Sequence, residues 1–147
     1  MAYISGLINR FSIHHSSMDP VFRKGDRVLA CSLKLAGKLK RGEIVFFRNE
    51  QFQHPLVKRV IGLPGEKLEI INGKVHINRN PLKNYVHNIP VSCNFGPIDI
   101  SNNFYFLMGD NRNNSEDSRD FGPISLDMIF YRALAIYRPF SHFKILP

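Results

Sequence analysis

Two alternating apolar runs, Lys67-Leu68-Glu69-Ile70-Ile71 and Lys74-Val75-His76-Ile77-Asn78, flank the pair Asn72-Gly73. This arrangement leaves the chain few local options. Period-two alternation suits a half-buried strand, and a two-residue connection matches strand twist only when both central residues take positive φ. Asn and Gly tolerate that conformation, so a type I′ hairpin is expected over 67–78. The pattern continues elsewhere. Lys24-Gly25-Asp26 precedes the run Arg27 to Cys31, and Lys40-Arg41-Gly42-Glu43 feeds Ile44 to Arg48. Leu56 to Leu63 is apolar and β-branched, closed by Pro64-Gly65, and Asn103 to Met108 reads as another strand. Ser125 to Arg132 is expected to form a helical turn before a last strand, Ala133 to Arg138. Cys31 to Leu39 is a weaker helix candidate, and residues 79–103 read as loop with at most one short strand. The expected fold class is all-β, with little helix.

A chain of 147 residues suits one domain, and 44% apolar with 22% charged residues are globular values. Twelve Phe and five Tyr supply the bulk of a modest core. The formal net charge is +8 and the pI about 9.8. That balance fits nucleic acid, anionic lipid, an acidic partner or simply a solvated basic surface, and charge alone does not choose among them. Cys31 and Cys93 form no CxxC or Cys/His pattern, so free thiols are expected rather than a disulfide or zinc. The six His residues show no HExxH spacing, and no metal is expected. No stretch approaches the roughly 20 apolar residues of a spanning helix. Residues 1–13 are mildly apolar but interrupted by Gly6, Asn9 and Arg10, and lack the cleavage site of a secretory signal.

Three segments carry candidate chemistry. Gly109 to Arg119 is a loop so dense in Asp, Asn, Arg and Ser that its side chains can bond one another, which suits a rigid scaffold. Ser17 precedes an Asp19-Pro20 step that holds the chain extended or turned, though loop serines are common. Lys58 interrupts an apolar run, on the same face as Val60 and opposite Val57 and Arg59. If that face is buried, desolvation lowers the lysine pKa, and a neutral amine can take the proton of a serine hydroxyl. The plainer alternative is a lysine snorkelling at a strand edge.

Four blocks together resemble bacterial type I signal peptidases, the Ser/Lys endopeptidases that remove signal peptides. They are Ser17-Met18-x-Pro20 with Lys24-Gly25-Asp26; Arg41-Gly42-Glu43-Ile44-Val45-Phe46; Lys58 to Gly65; and Gly109-Asp110-Asn111-Arg112 through Ser115, Asp117-Ser118-Arg119 and Phe121-Gly122. They occur in the family's order and extend over residues 11–139. The resemblance implies a catalytic β core over 11–65 and 103–139 with a small inserted β region at 66–102. Residues 1–10 would be a remnant or linker and 140–147 a tail. It implies no cofactor.

Carried onto this sequence, the resemblance makes Ser17 the nucleophile, Lys58 the general base and Ser115 the hydroxyl orienting the amine. Arg59, Asp110, Asp117 and Arg119 become an ion-paired scaffold. Phe11, Ile13, Met18, Phe22, Leu56 and Val57 would bind substrate, which would add as a strand along Phe11 to His15 and His54 to Val57. Small apolar pockets there would select Ala-x-Ala-like cut sites. The implied partners are signal peptides of exported preproteins and an anionic membrane surface at the outer face of the cytoplasmic membrane, with no nucleic acid.

The sequence also departs from the pattern. His15 stands where one branch of the family has an oxyanion-hole serine, so His15 or Ser16 is the expected second donor. Val21 replaces the usual Thr, and Phe130-Tyr131 replaces a glycine-containing step. The family's transmembrane helices end shortly before the nucleophile, and only sixteen residues precede Ser17 here. A catalytic fragment, a start site placed too late and a minimal variant recruited by its basic, apolar surface all fit. Two other functions stay open: a non-catalytic basic β module binding lipid or nucleic acid, and a Ser/Lys peptidase maturing pilin-like substrates.

Overall fold

The computed structural model describes residues 6–85 and 94–147. Seven of its strands share one large antiparallel sheet with an eighth attached. These are β1 (Ile8–Ser12), β2 (Arg27–Ser32), β3 (Ile44–Phe47) and β4 (Leu56–Gly62) from the first half of the chain. The second, smaller sheet uses β5 (Lys67–Ile71), β6 (Lys74–Ile77), β7 (Asn80–Pro81) and β8 (Phe95–Asp99). The chain then returns to the large sheet through β9 (Phe104–Met108), β10 (Ile124–Ser125), β11 (Ile129–Arg138) and β12 (Lys144–Ile145). Spatial order is β1-β2-β11-β3-β4-β9-β10, with β12 on β11, and β7-β6-β5-β8 in the small sheet. The architecture is all-β.

Local chemistry accounts for most elements. Asn72 and Gly73 both take positive φ (49° and 73°) between the paired β5 and β6, as a type I′ turn requires. β11 alternates buried and half-buried positions along most of its length, so it can run through the middle of the sheet. β4 is buried from Lys58 to Gly62 because it is covered on both faces. Val60 packs into a cluster with Phe47, Tyr105 and Leu107, while Ile61 packs with Leu68, Ile70, Phe106 and Met108 beneath the small sheet. Gly62 permits that second packing. A Cβ there would stand 2.3 Å from Ile100 Cδ1 and 2.9 Å from Phe106 Cβ.

Several expectations need correction. The remnant or linker expected over 1–10 contributes β1 from Ile8, which pairs with β2 through the register Ile8↔Cys31 to Ser12↔Arg27. The tail at 140–147 supplies β12 and the buried Leu146. Edge pairing recruited both segments, and neither carries the alternation that flags a strand. The helical turn expected over 125–132 is only a 3₁₀ turn at Leu126–Met128, and β11 begins at Ile129 because pairing with β3 extends it backwards. The helix candidate at 31–39 reduces to one turn, α1 (Leu33–Ala36), capped by Ser32 and ended by Gly37. Cys31 is a buried free thiol, whereas Cys93 and His87 lie outside the described residues.

Two features of this topology place the site. β9 meets β4 only from Arg59 onward (Arg59↔Met108), so residues 56–58 have no described strand beside them on that side. The chain leaving β1 is pinned where it turns toward Ser17. Ile13 N–H donates to the Asp26 carbonyl at 2.9 Å, and Gly25 N–H to the Ile13 carbonyl at 2.8 Å.

Candidate active site

Ser17 and Lys58 are 41 residues apart, and their side chains meet. Lys58 Nζ lies 2.8 Å from Ser17 Oγ. The lysine is only 3% exposed, since Val57 packs on one apolar cluster and Val60 on another. Removal from water penalises the ammonium and lowers its pKa from 10.5 to about 8. The nearby carboxylates of Asp117 and Glu116 pull the other way, and desolvation prevails. The plainer reading of a snorkelling lysine is overturned by this burial.

The polar loop forms the bonded scaffold that its composition suggested. Asp117 is fully buried and accepts from Gly109 N–H (2.9 Å), Ser115 Oγ (2.8 Å), Arg119 Nε (2.8 Å) and Arg119 Nη2 (2.9 Å). It also caps α2 (Ser118–Phe121) in a reciprocal capping box with Asp120. Asp110 receives a bidentate pair from Arg59, at 2.8 and 2.6 Å, and both residues are buried. Arg59 also donates to the Gly42 carbonyl at 2.7 Å and lies 5.6 Å from the centre of the Tyr85 ring. A Cβ on Gly109 would fall 2.1 Å from Ser115 Oγ and 2.5 Å from the Ser17 carbonyl, so the loop meets the serine backbone at a distance that excludes any side chain.

Ser115, expected to orient the lysine amine, directs its hydroxyl to Asp117 in this structure. Met18 and Phe22, expected in the substrate pockets, are both fully buried in the core cluster with Val28, Ile44 and Tyr131. Neither is among the residues that line the cleft. The cleft itself holds about 960 Å³, and Phe11, Ile13, Leu56 and Val57 line it, beside Ser17 and Lys58. His15 is exposed on the cleft wall. Ser16 Oγ accepts from Asn114 Nδ2 at 3.1 Å, which leaves its own proton to donate. Val21 and Phe130 pack against the core, and Tyr131 donates from its hydroxyl to the Gly6 carbonyl at 2.6 Å.

Sequence reasoning missed several residues. Asn111 donates from its backbone N–H to the Ser17 carbonyl (3.0 Å) and from Nδ2 to the Ser16 carbonyl (3.1 Å), tying the loop to the Ser16-Ser17 backbone. Arg112 is buried and joins the Gly109 carbonyl to the Tyr85 carbonyl, at 2.9 and 2.7 Å. Burial lowers its pKa, against the pull of Asp110. Phe46 and Phe52 also line the cleft. Asn111 and Arg112 stood inside the recognised block. Phe52 and Tyr85 carried no signal, because only tertiary packing brings them near the site. Among the described residues, no group of His, Cys, Asp and Glu could hold a metal ion.

Comparison with known proteins agrees with this geometry. Residues 1–138 match the family described as Signal peptidase, peptidase S26. A probable signal peptidase I-2 of Synechocystis is 34% identical over 86% of this chain, which spans 62% of that protein's length. Signal peptidase I T of Bacillus subtilis is 33% identical over 94% of this chain and 78% of its own length. A crystal structure of a signal peptidase I from Enterococcus faecalis shares 28% identity at a TM-score of 0.55, covering 63% of this chain and 94% of that one. With its serine and amine in contact and a family match across nearly its whole length, this chain belongs to the signal peptidase family, peptidase S26.

Proposed function

We propose that the protein is a serine endopeptidase that removes signal peptides from exported proteins, with Ser17 as nucleophile and Lys58 as general base. One observation carries this reading: a buried amine of lowered pKa touches the Ser17 hydroxyl at 2.8 Å. Neutral Lys58 takes the Ser17 proton as Oγ attacks the scissile carbonyl. The tetrahedral oxyanion is held by the Ser17 backbone N–H, with Ser16 Oγ–H as the second donor. Removing one such donor typically loses about 2.7–4 kcal/mol of transition-state stabilisation. Lys58 returns the proton to the leaving amine, then draws one from water, and the resulting hydroxide releases the acyl group from Ser17.

Substrate binds as an added strand on β4. Val60 directs its N–H to the Glu43 carbonyl and accepts from Gly42 N–H on the β3 side, so alternation turns the Val57 N–H and C=O toward the open edge. The Asp110 and Asp117 ion pairs hold the loop that buttresses both catalytic residues. A catalytic domain in this role works at the exported side of a membrane. The C-terminal segment supports contact with anionic lipid: Phe140, Phe143 and Ile145 are 79%, 59% and 75% exposed beside Arg138 and Lys144.

The test is cleavage of a soluble peptide with an Ala-x-Ala cut site by wild type and by Ser17→Ala. Turnover by wild type alone supports the reading. Equal turnover by both, or none by either, favours the non-catalytic module.

A further inference from the structure

The C-terminal segment does more than pair with an edge. After β11 the chain makes a 3₁₀ turn at Phe140–His142 and returns along β11 as β12. That turn brings His142 Nδ1 to the Asp26 carboxylate, 3.2 Å from Oδ1 and 3.0 Å from Oδ2. Because a carboxylate accepts, Nδ1 carries the proton in this bond. The Asp26 side chain is only 3% exposed, and that of His142 19%. The same carboxylate accepts from Arg23 N–H at 2.8 Å, so it is bonded from its own turn and from the far end of the chain. Its residue also holds the cleft. The Asp26 carbonyl accepts from Ile13 N–H, and Gly25 N–H donates to the Ile13 carbonyl. Ile13 lines the cleft and stands four residues before Ser17. Leu146 is buried in the same apolar cluster as Ile13, Met18 and Phe22, with its N–H bonded to the Leu134 carbonyl at 2.8 Å. The C-terminal segment thus joins this region twice, through one polar contact and one apolar cluster.

We propose that His142 is a positioning residue: by holding Asp26 it fixes Ile13, and with it one wall of the cleft that receives substrate. The inference rests on the peptidase reading above. A buried carboxylate that loses a donor is drawn toward water or another donor. In Asp26 that movement drags the backbone carbonyl that holds Ile13, since both groups belong to one turn. Ser17 is held separately, because Asn111 donates to the Ser16 and Ser17 carbonyls from the polar loop. Loss of His142 therefore loosens the wall and spares the dyad. The defect is one of substrate binding, not of bond cleavage. The contact needs a single N–H at the Nδ1 position, and the side-chain amide of asparagine can supply one there.

The experiment measures kcat and KM of the full chain with a soluble Ala-x-Ala peptide, at a pH above 8 where Lys58 has released its proton. His142→Ala should raise KM roughly fivefold, as the loss of about one hydrogen bond predicts, with kcat nearly unchanged. His142→Asn should keep KM near the wild-type value. Asp26→Ala should raise KM at least as much as His142→Ala, and combining the two should add nothing further, as expected of residues acting in series. A fold defect alone would lower kcat by shrinking the active fraction and leave KM in place. The inference is overturned by a KM that His142→Ala leaves unchanged, by a fall in kcat alone, by an asparagine variant no better than the alanine one, or by additive effects in the double variant. Absence of turnover by the wild type defeats the peptidase reading itself, a result distinct from cleavage with an unmoved KM.

Discussion

The two faces of β4 bury neighbouring cations and treat them in opposite ways. Arg59, 4% exposed, meets Asp110 through two hydrogen bonds and the Gly42 carbonyl through a third. Lys58, 3% exposed, meets a hydroxyl where Arg59 meets a carboxylate. Equal burial gives a hydrogen-bonded ion pair on one face. On the other it gives an amine whose charge is only loosely retained. The difference is that of a structural cation and the base proposed above. Burial alone does not make a lysine reactive; burial without a contacting carboxylate does.

This contrast can be broken from either side. The largest effect is expected on the reactive face, where Ser17→Ala or Lys58→Met should lower kcat/KM for a cleavable peptide by roughly 10⁴-fold or more. Urea melts of the same proteins check that the fold survives. On the structural face, Asp110→Ala leaves Arg59 buried beside no counter-charge there and should destabilise the protein by about 3–5 kcal/mol. Adding Arg59→Met to that variant should recover part of the loss, because the stranded charge goes with it.

Lys58→Met should also stabilise the protein at pH 7, by about 1–3 kcal/mol. The sign follows from the lowered pKa. Between about 8 and 10.5 the unfolded chain binds a proton that the folded one has released, so wild-type stability rises with pH across that window. Below about 8 both states are protonated and the burial penalty is present in full. The gap between the variant and wild type should therefore shrink as pH climbs from 8 to 10.5, a trend that denaturant melts at several pH values would reveal. A gap constant with pH would mean that packing, not charge, separates the two proteins.

The smallest effect sharpens the comparison most. Activity should climb with pH through a midpoint near 8 as Lys58 loses its proton. Glu116 is exposed and raises the lysine pKa from a distance, so Glu116→Gln should move that midpoint to lower pH with little change in the plateau. A kcat/KM profile with no ascending limb between neutral and alkaline pH would remove Lys58 from the role of base.

Much of this was legible before any coordinates. The Asn72-Gly73 turn, the strand at 56–63 and the mutual bonding of the 109–119 loop are local, dictated by backbone preferences and by hydrogen-bonding groups close in sequence. The four blocks located Ser17, Lys58, Arg59, Asp110, Asp117 and Arg119. What stayed hidden is non-local. Ile8 to Ser12 and Lys144-Ile145 become strands only because neighbours offer edges, so parts of the presumed linker and tail joined the large sheet. Met18 and Phe22 looked like pocket residues because apolar character does not say which side of a wall a side chain faces. Phe52 and Tyr85 had no motif to mark them.

The order of turn signals, alternating runs and polar blocks, by itself, determined a β architecture and a serine and a lysine of the right types. Only tertiary structure decided that the two meet at 2.8 Å and that the lysine is almost wholly buried. A pKa responds to the medium around a group, and the medium around Lys58 is assembled from strands and loops contributed by distant parts of the chain.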